Sequence, residues 1–380
     1  MTRDSTRTRI LVAGGGTAGH VLPGVAIADA LVARGVDAEA ITFAGGDRGV
    51  EREVVSAAGY PLVELPGRGI QRRLTWSNLT AVWSLARGVA RGIGLVRRLR
   101  PDVVVVLGGY ASFACGVGGV LARRPLVLCE QNARAGAVNR TLRFWARRSA
   151  VTFPDTDLPR STVTGNPLRD RIVAAARARD ADPVGARTAA RRTLGLPEDR
   201  TVVLVATGSL GARSVNDAVR DLATRWRGRS DLAIRHVVGR RDHQAFEADP
   251  PVGDSDALVY QLVAYEDRMD TALSAADLVI GRSGGGVAEL AALGVPAVLV
   301  PLPIAPRDHQ RANARHLVEA GAAVLLDDTA CTGENLAAVV GPLVDDSSRR
   351  GAMSDAMRRS ARLDAADAVA GLVLEVTDDS

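Results

Sequence analysis

At about 150 residues per domain, a chain of 380 residues suggests two or three domains. Its 47% hydrophobic and 24% charged residues exclude a disordered chain, a collagen and a small disulfide scaffold. The net charge of +5, with every cation an Arg, is too mild to imply nucleic acid, although a local basic patch would suit an anionic membrane.

Taken in chain order, the pattern is strand, glycine-rich turn, helix, repeated. Arg9–Ala13 reads as a strand, followed by Gly14-Gly15-Gly16 and a helix from about Val21 to Arg34. Ala38–Ala44 and Asp102–Leu107 are the next strands, ended by Gly45-Gly46 and Gly108-Gly109. Pro125–Leu128, Ala150–Phe153 and Ser161–Thr164 follow as short strands. The Arg- and Ala-rich stretch 166–200 reads as a passage between two domains. The rhythm then restarts with Thr201–Ala206, Ala233–Val238, Leu258–Val263, Leu278–Gly281, Ala297–Pro301 and Ala322–Leu326. A last helix, about Ser347–Val376, is long enough to return to the first domain. Val-rich runs such as Val103–Val106 suit strands buried on both faces, so an α/β architecture of two doubly wound parallel sheets with a cleft between them is expected.

Cys115, Cys129 and Cys331 have no metal spacing and read as reduced thiols of a cytosolic protein. The polar start Met1–Thr8 gives no sign of a signal peptide, and no apolar run reaches the roughly 18 residues that span a membrane. A soluble, cytoplasmic or surface-bound protein is expected.

Gly14, Gly16 and Gly19 fit the dinucleotide pattern G-x-G-x-x-G, whose helix N-terminus holds a pyrophosphate. Two details oppose a nicotinamide or flavin enzyme: His20 follows the third glycine, and no acid ends the second strand. The second half has phosphate-type turns of its own, Gly208-Ser209-Leu210-Gly211 and Arg282-Ser283-Gly284-Gly285-Gly286. Their N–H groups, hydroxyls and Arg282 suit a diphosphate, and Glu289 one short turn into its helix suits the two hydroxyls of a ribose.

In order along the chain, Gly14 through His20, Gly108-Gly109-Tyr110-Ala111-Ser112, Glu130-Gln131-Asn132 and Thr164 through Arg169 resemble motifs of the MurG family. Gly208 through Arg213, Arg282 through Glu289 and His309 through Ala314 continue the resemblance, which covers roughly residues 9 to 375. The family consists of N-acetylglucosaminyltransferases that convert lipid I into lipid II in peptidoglycan synthesis. The resemblance implies the GT-B fold, with an acceptor- and membrane-facing domain over residues 1–165, a UDP-GlcNAc-binding domain over 166–359, and a helix of about 360–380 packing back on the first.

It also implies site roles. Arg169 and Ser209 would contact the diphosphate, with N–H groups from Ser283, Gly284 and Gly285; Glu289 would hold the ribose, and the segment Tyr265–Met269 would border the uracil. Thr17 and Gly19 would belong to the donor site, Gln310 and Asn132 would hold hydroxyl or acetamido groups of the GlcNAc, and His20, Tyr110 and Asn139 would lie on the acceptor side. The implied step inverts the donor linkage and needs a base, for which His20 is the first candidate and Glu130 the second. No His/Asp/Glu cluster has ligand spacing, so no cofactor or metal is expected.

Leu74 and Trp76, beside Arg72 and Arg73, form an apolar tip next to Arg, as a peripheral protein needs on anionic lipid. In the helix that follows, Leu79, Val82, Leu85, Val89, Ile93 and Val96 recur at spacings of a buried stripe. The implied partners are UDP-GlcNAc, undecaprenyl-linked lipid I, the cytoplasmic face of an anionic inner membrane and other cell-wall synthesis proteins, with no nucleic acid. Two departures stand out. Cys129 replaces the family's usual His before Glu-Gln-Asn, and His309 replaces the first of a Gln-Gln pair. A thiol is a weak donor and acceptor, so a diverged paralogue with a modified acceptor, or an epimerase-like relative, is the alternative reading.

Overall fold

The structure, a computed structural model, describes residues 8–46, 51–66, 77–208 and 211–378, with backbone alone for 77–85. The chain forms two units, Met1–Arg169 with Arg362–Ser380, and Asp170–Ala361.

The first unit runs β1 (Ile10–Ala13), α1 (Ala18–Ala33), β2 (Ile41–Gly46), α2 (Glu51–Ala57), β3 (Leu62–Leu65), α3 (Ser77–Leu99) and β4 (Val103–Val106). It continues with α4 (Tyr110–Leu121), β5 (Leu126–Glu130), α5 (Ala137–Leu142), β6 (Ala146–Val151) and β7 (Ser161–Val163). Its seven-stranded sheet has the order β3-β2-β1-β4-β5-β6-β7, all parallel. Successive strand residues point to opposite faces, which gives the unit two cores. Ile10, Val12, Val103, Val105, Val127 and Cys129 belong to one, with α1; Leu11, Ala13, Val104, Val106 and Leu128 belong to the other, with α4.

The second unit runs α6 (Asp170–Ala181), α7 (Pro183–Leu194), β8 (Thr201–Ala206), α8 (Arg213–Arg225), β9 (Leu232–Val237), α9 (His243–Ala248), β10 (Val259–Val263) and α10 (Met269–Ala275). Then come β11 (Leu278–Gly281), α11 (Val287–Leu293), β12 (Ala297–Leu299), α12 (His309–Glu319), β13 (Ala323–Leu325), α13 (Gly333–Asp345) and α14 (Ser347–Arg359). Its six-stranded parallel sheet has the order β10-β9-β8-β11-β12-β13. The last helix, α15 (Ala365–Asp378), belongs to the first unit, where Val369, Ala370, Val373 and Val376 are fully buried with Ile10 and Val12.

Three expectations are corrected. Residues 170–194 are no linker: α6 and α7 pack on α10 as part of the second unit. Asp182 caps α7 by accepting from the Gly185 N–H at 2.9 Å, Pro183 takes the first turn, and Gly195 ends the helix at φ 65°, so local signals alone specify it. The expected single last helix is two, broken over residues 360–364, where the Ser360 hydroxyl bonds back to the Ala356 carbonyl at 3.1 Å. The strand β3 was not foreseen; its four residues carry no alternation that distinguishes them from a loop.

Candidate functional site

In open parallel sheets a ligand binds beyond the carboxyl ends of the strands, where the strand order reverses. Each unit has one such point, between β1 and β4 in the first and between β8 and β11 in the second.

In the first unit the turn after β1 packs on the turn after β4. Gly109, at φ 85°, lies so close to the Gly15 carbonyl that a side chain there would strike it. Ser112 ties the two strands, its buried hydroxyl donating to the Ala13 carbonyl and accepting from the Gly108 N–H at 3.1 Å. His20, half-buried in the first turn of α1, has its Nδ1 3.1 Å from the Gly15 carbonyl oxygen and 3.4 Å from the Thr17 hydroxyl. Thr17 and Gly19 are exposed at the same turn. Tyr110 opens α4, and its hydroxyl lies over Gly88 of α3, where no side chain intervenes.

One residue was missed. Glu51, 1% exposed, opens α2, and its Oε1 accepts from the Gly16 N–H at 2.6 Å and the Gly46 N–H at 3.2 Å. The acid absent from the end of the second strand is thus supplied five residues later, on the glycine turn rather than on a ribose. An N–H that a pyrophosphate would use already has an acceptor, a further argument against a dinucleotide there.

At the end of β5, Glu130 is buried and fully engaged. Oε1 accepts from the Asn132 backbone N–H and Nδ2, both at 3.1 Å; Oε2 accepts from the Gly136 N–H at 2.8 Å and Asn139 Nδ2 at 3.0 Å. Four accepted bonds make Glu130 the post that holds the loop, which occupies both oxygens of the second candidate base. Asn139 is likewise buried, and its NH2 group also donates to the Cys129 carbonyl at 2.9 Å, which engages that group within the loop rather than with an acceptor. Asn132 remains half-buried beside them. Arg169, half-buried, closes the first unit.

In the second unit, Gly211 at φ 70° lies against the Val238 carbonyl, which leaves no room for a Cβ. The turn after β11 is held from behind: Asn313 Nδ2 donates to the Ser283 carbonyl at 3.0 Å. Ser283 itself is buried, and its hydroxyl has no hydrogen-bond partner among the described residues. Gln310 Oε1 accepts from the Leu302 N–H at 2.9 Å, and its Nε2 lies 3.7 Å from where a Gly284 side chain would begin, so its amide overhangs the turn. Just before it, Arg307 and Asp308 are held at φ 56° and 52°, a strained backbone of the kind that gathers at functional sites. Gly284 and Gly285 precede α11, with Glu289 in its first turn, and Met269 opens α10.

Arg282 is corrected. Its guanidinium donates to the Val300 and Pro301 carbonyls at 3.0 and 3.1 Å and to Asp328 at 2.5 Å, and so braces the fold instead of offering charge to a phosphate. Asp328 also accepts from the Ser214 hydroxyl at 2.7 Å, which joins the start of α8 to the turn after β11.

Residues 10–151 match the glycosyltransferase family 28 N-terminal domain, and residues 202–369 match the glycosyltransferase family 28 C-terminal domain. The chain is 40% identical to the UDP-N-acetylglucosamine–N-acetylmuramyl-(pentapeptide) pyrophosphoryl-undecaprenol N-acetylglucosamine transferase of Salinibacter ruber, over 98% of each chain. The enzyme of that name from a Nocardioides species is also 40% identical, over 97% of this chain and 98% of its own. The chain belongs to the MurG family. A crystal structure of Acinetobacter baumannii MurG, 26% identical, superposes with a TM-score of 0.73 over 97% of this chain and 99% of that one.

Cys129, where the MurG family usually has His, lies in the apolar core between β5 and its neighbours, 2% exposed. Burial, with Glu130 next to it, pushes its thiol up to about 12. The departure therefore falls in the buried core of the first unit. Ser209, Leu74 and Trp76 lie outside the described residues. Among the described residues no group of three His, Cys, Asp or Glu side chains could hold a metal, and no helix is long and apolar enough to cross a membrane.

Proposed function

We propose that this chain moves GlcNAc from UDP-GlcNAc to the C4 hydroxyl of the MurNAc of undecaprenyl-linked lipid I, forming lipid II on the cytoplasmic face of the membrane. The observation that carries the reading is the match at 40% identity, over nearly the whole of both chains, to enzymes that bear this activity in their names.

The first unit supplies the base. The acceptor C4–OH gives its proton to His20 Nε2 as its oxygen forms the new bond to the anomeric carbon; the bond from that carbon to the diphosphate oxygen breaks, and UDP leaves with the electron pair. Tyr110 flanks the acceptor. The second unit holds the donor: the N–H groups and hydroxyl of Ser283, Gly284 and Gly285, with Ser209, meet the charge that develops on the diphosphate. Glu289 takes the ribose, Met269 borders the uracil, and Gln310 orients the sugar. No metal ion is part of this proposal.

The membrane surface is engaged by the first unit. Phe144 and Trp145 are 68% and 55% exposed, with the Arg143 guanidinium 4.8 Å from the Phe144 ring centroid and Arg140 and Arg147 exposed beside them. Aromatic rings among Arg side chains suit the interface of an anionic bilayer.

The test is UDP release from UDP-GlcNAc with and without a soluble lipid I analogue. Acceptor-dependent release is expected. UDP-GlcNAc binding without any acceptor-dependent release would overturn the acceptor assignment.

A further inference from the structure

A single peptide group links two side chains of the first unit. The Gly15–Gly16 peptide donates its N–H to Glu51 Oε1 at 2.6 Å, and its carbonyl oxygen lies 3.1 Å from His20 Nδ1. A carbonyl oxygen only accepts, so this contact is a hydrogen bond only when Nδ1 carries the proton. Nε2 then holds the lone pair, on the side of the ring that faces Gly108, 3.0 Å from where a side chain of that glycine would begin.

The Glu51 carboxyl is built into this place. Side chains at Gly15 or Gly45 would collide with it, the second within 2.9 Å of its Cγ. Its Oε1 takes both N–H groups, while Oε2 has no partner among the described residues. Glu130 shows the contrast, since each of its oxygens accepts two bonds within its own loop. Burial of a polar oxygen is costly unless it is answered, so the bonds at Oε1 fix the peptide plane firmly.

We infer that Glu51 is a positioning residue for the transfer step: through the Gly15–Gly16 peptide it fixes the ring orientation and the Nδ1–H tautomer of His20. The inference rests on His20 being the base. Without the Glu51 acceptor the peptide is free to rotate, its carbonyl leaves Nδ1, and the ring loses the bond that keeps Nε2 unprotonated. The logic is that of a base held in its working tautomer by an orienting group, with a backbone peptide between the two.

The test uses the full chain with 15N-labelled histidines, and His20 is assigned by the signal lost in His20→Gln. Long-range 1H–15N spectra are expected to show His20 as the Nδ1–H tautomer in the parent. In Glu51→Leu the Nε2–H form should appear and kcat should fall about tenfold, the size of one fixed hydrogen bond, with the KM for UDP-GlcNAc within twofold. Glu51→Gln keeps an acceptor oxygen at the same place and should restore tautomer and kcat to within threefold. An Nε2–H tautomer in the parent would overturn the inference, even if Glu51→Leu did not fold. So would a folded Glu51→Leu with the parental tautomer and kcat. If His20→Gln turns over as fast as the parent, it is the assignment of the base that fails, and the spectra still report whether Glu51 sets the ring.

Discussion

Arg191 and Asp277 meet at 2.5 Å in the second unit, with side chains only 3% and 10% exposed. The same Asp277 oxygen accepts from the Val202 N–H at 2.7 Å, and Arg191 also donates to the Glu198 and Arg200 carbonyls at 2.8 and 3.0 Å. The pair thus anchors the end of α7 and the start of β8. Burial pulls the Arg191 guanidinium below its ordinary range, and Asp277 opposes that pull. Removing the acid leaves a buried cation without its counter-charge. Asp277→Leu is therefore expected to lower the unfolding free energy by about 3–5 kcal/mol in denaturant titration, and a loss below about 1 kcal/mol would show the pair to be dispensable.

A second prediction concerns acid. His236 is fully buried, with Nδ1 2.7 Å from the Tyr260 hydroxyl and Nε2 3.1 Å from Asn216 Oδ1. Burial first, and then Arg220, push its pKa down to about 3. The unfolded chain takes up a proton near pH 6.5 that the folded chain refuses. Stability from this site is therefore full above about pH 6.5 and is lost as the pH falls toward 3, at about 1.4 kcal/mol per pH unit. Melting curves from pH 7 to pH 4 should show a shallower decline for His236→Gln than for the parent; equal slopes would refute the assignment.

The thiols give a third. Burial raises Cys115 and Cys129 to about 12 and Cys331 to about 11. All three cysteines of the chain are buried. A disulfide reagent at pH 8 should therefore leave the native protein unmodified over minutes and titrate three thiols after denaturation. Because Cys129 faces the apolar core, Cys129→His should lower the melting temperature without raising acceptor-dependent turnover; a faster variant would return the position to the ligand surface.

The exposed ring pair gives a fourth. Exchange of Phe144 and Trp145 for Ser removes two side chains, each contributing about 1.5–3 kcal/mol when fully buried. Co-sedimentation with anionic vesicles should weaken at least tenfold in the double variant, with turnover of a soluble acceptor unchanged. Unaltered sedimentation would move the contact elsewhere on the surface.

Much of the fold was legible because strand periodicity and glycine turns are local. Val103–Val106 announces a strand buried on both faces, and Gly208 and Gly211 mark the phosphate-type turn before α8. The unforeseen parts depend on partners far along the chain. Nothing near Glu51 in sequence says that its carboxyl will meet Gly16, 35 residues away. Nothing near Arg282 says that its charge is answered by Asp328, 46 residues on. Glu130 was ambiguous for the opposite reason: base and loop post need the same residue type, and only its four accepted bonds separate them.

The return of α15 to the first unit has a consequence for how the protein is made. The ribosome releases the second unit, residues 170–361, before it releases Val369, Ala370, Val373 and Val376, which complete the core around Ile10 and Val12. Until then the first sheet has one apolar face partly uncovered. The first unit is therefore discontinuous in sequence: its core cannot close until the whole of the second unit, and then α15, has been synthesised.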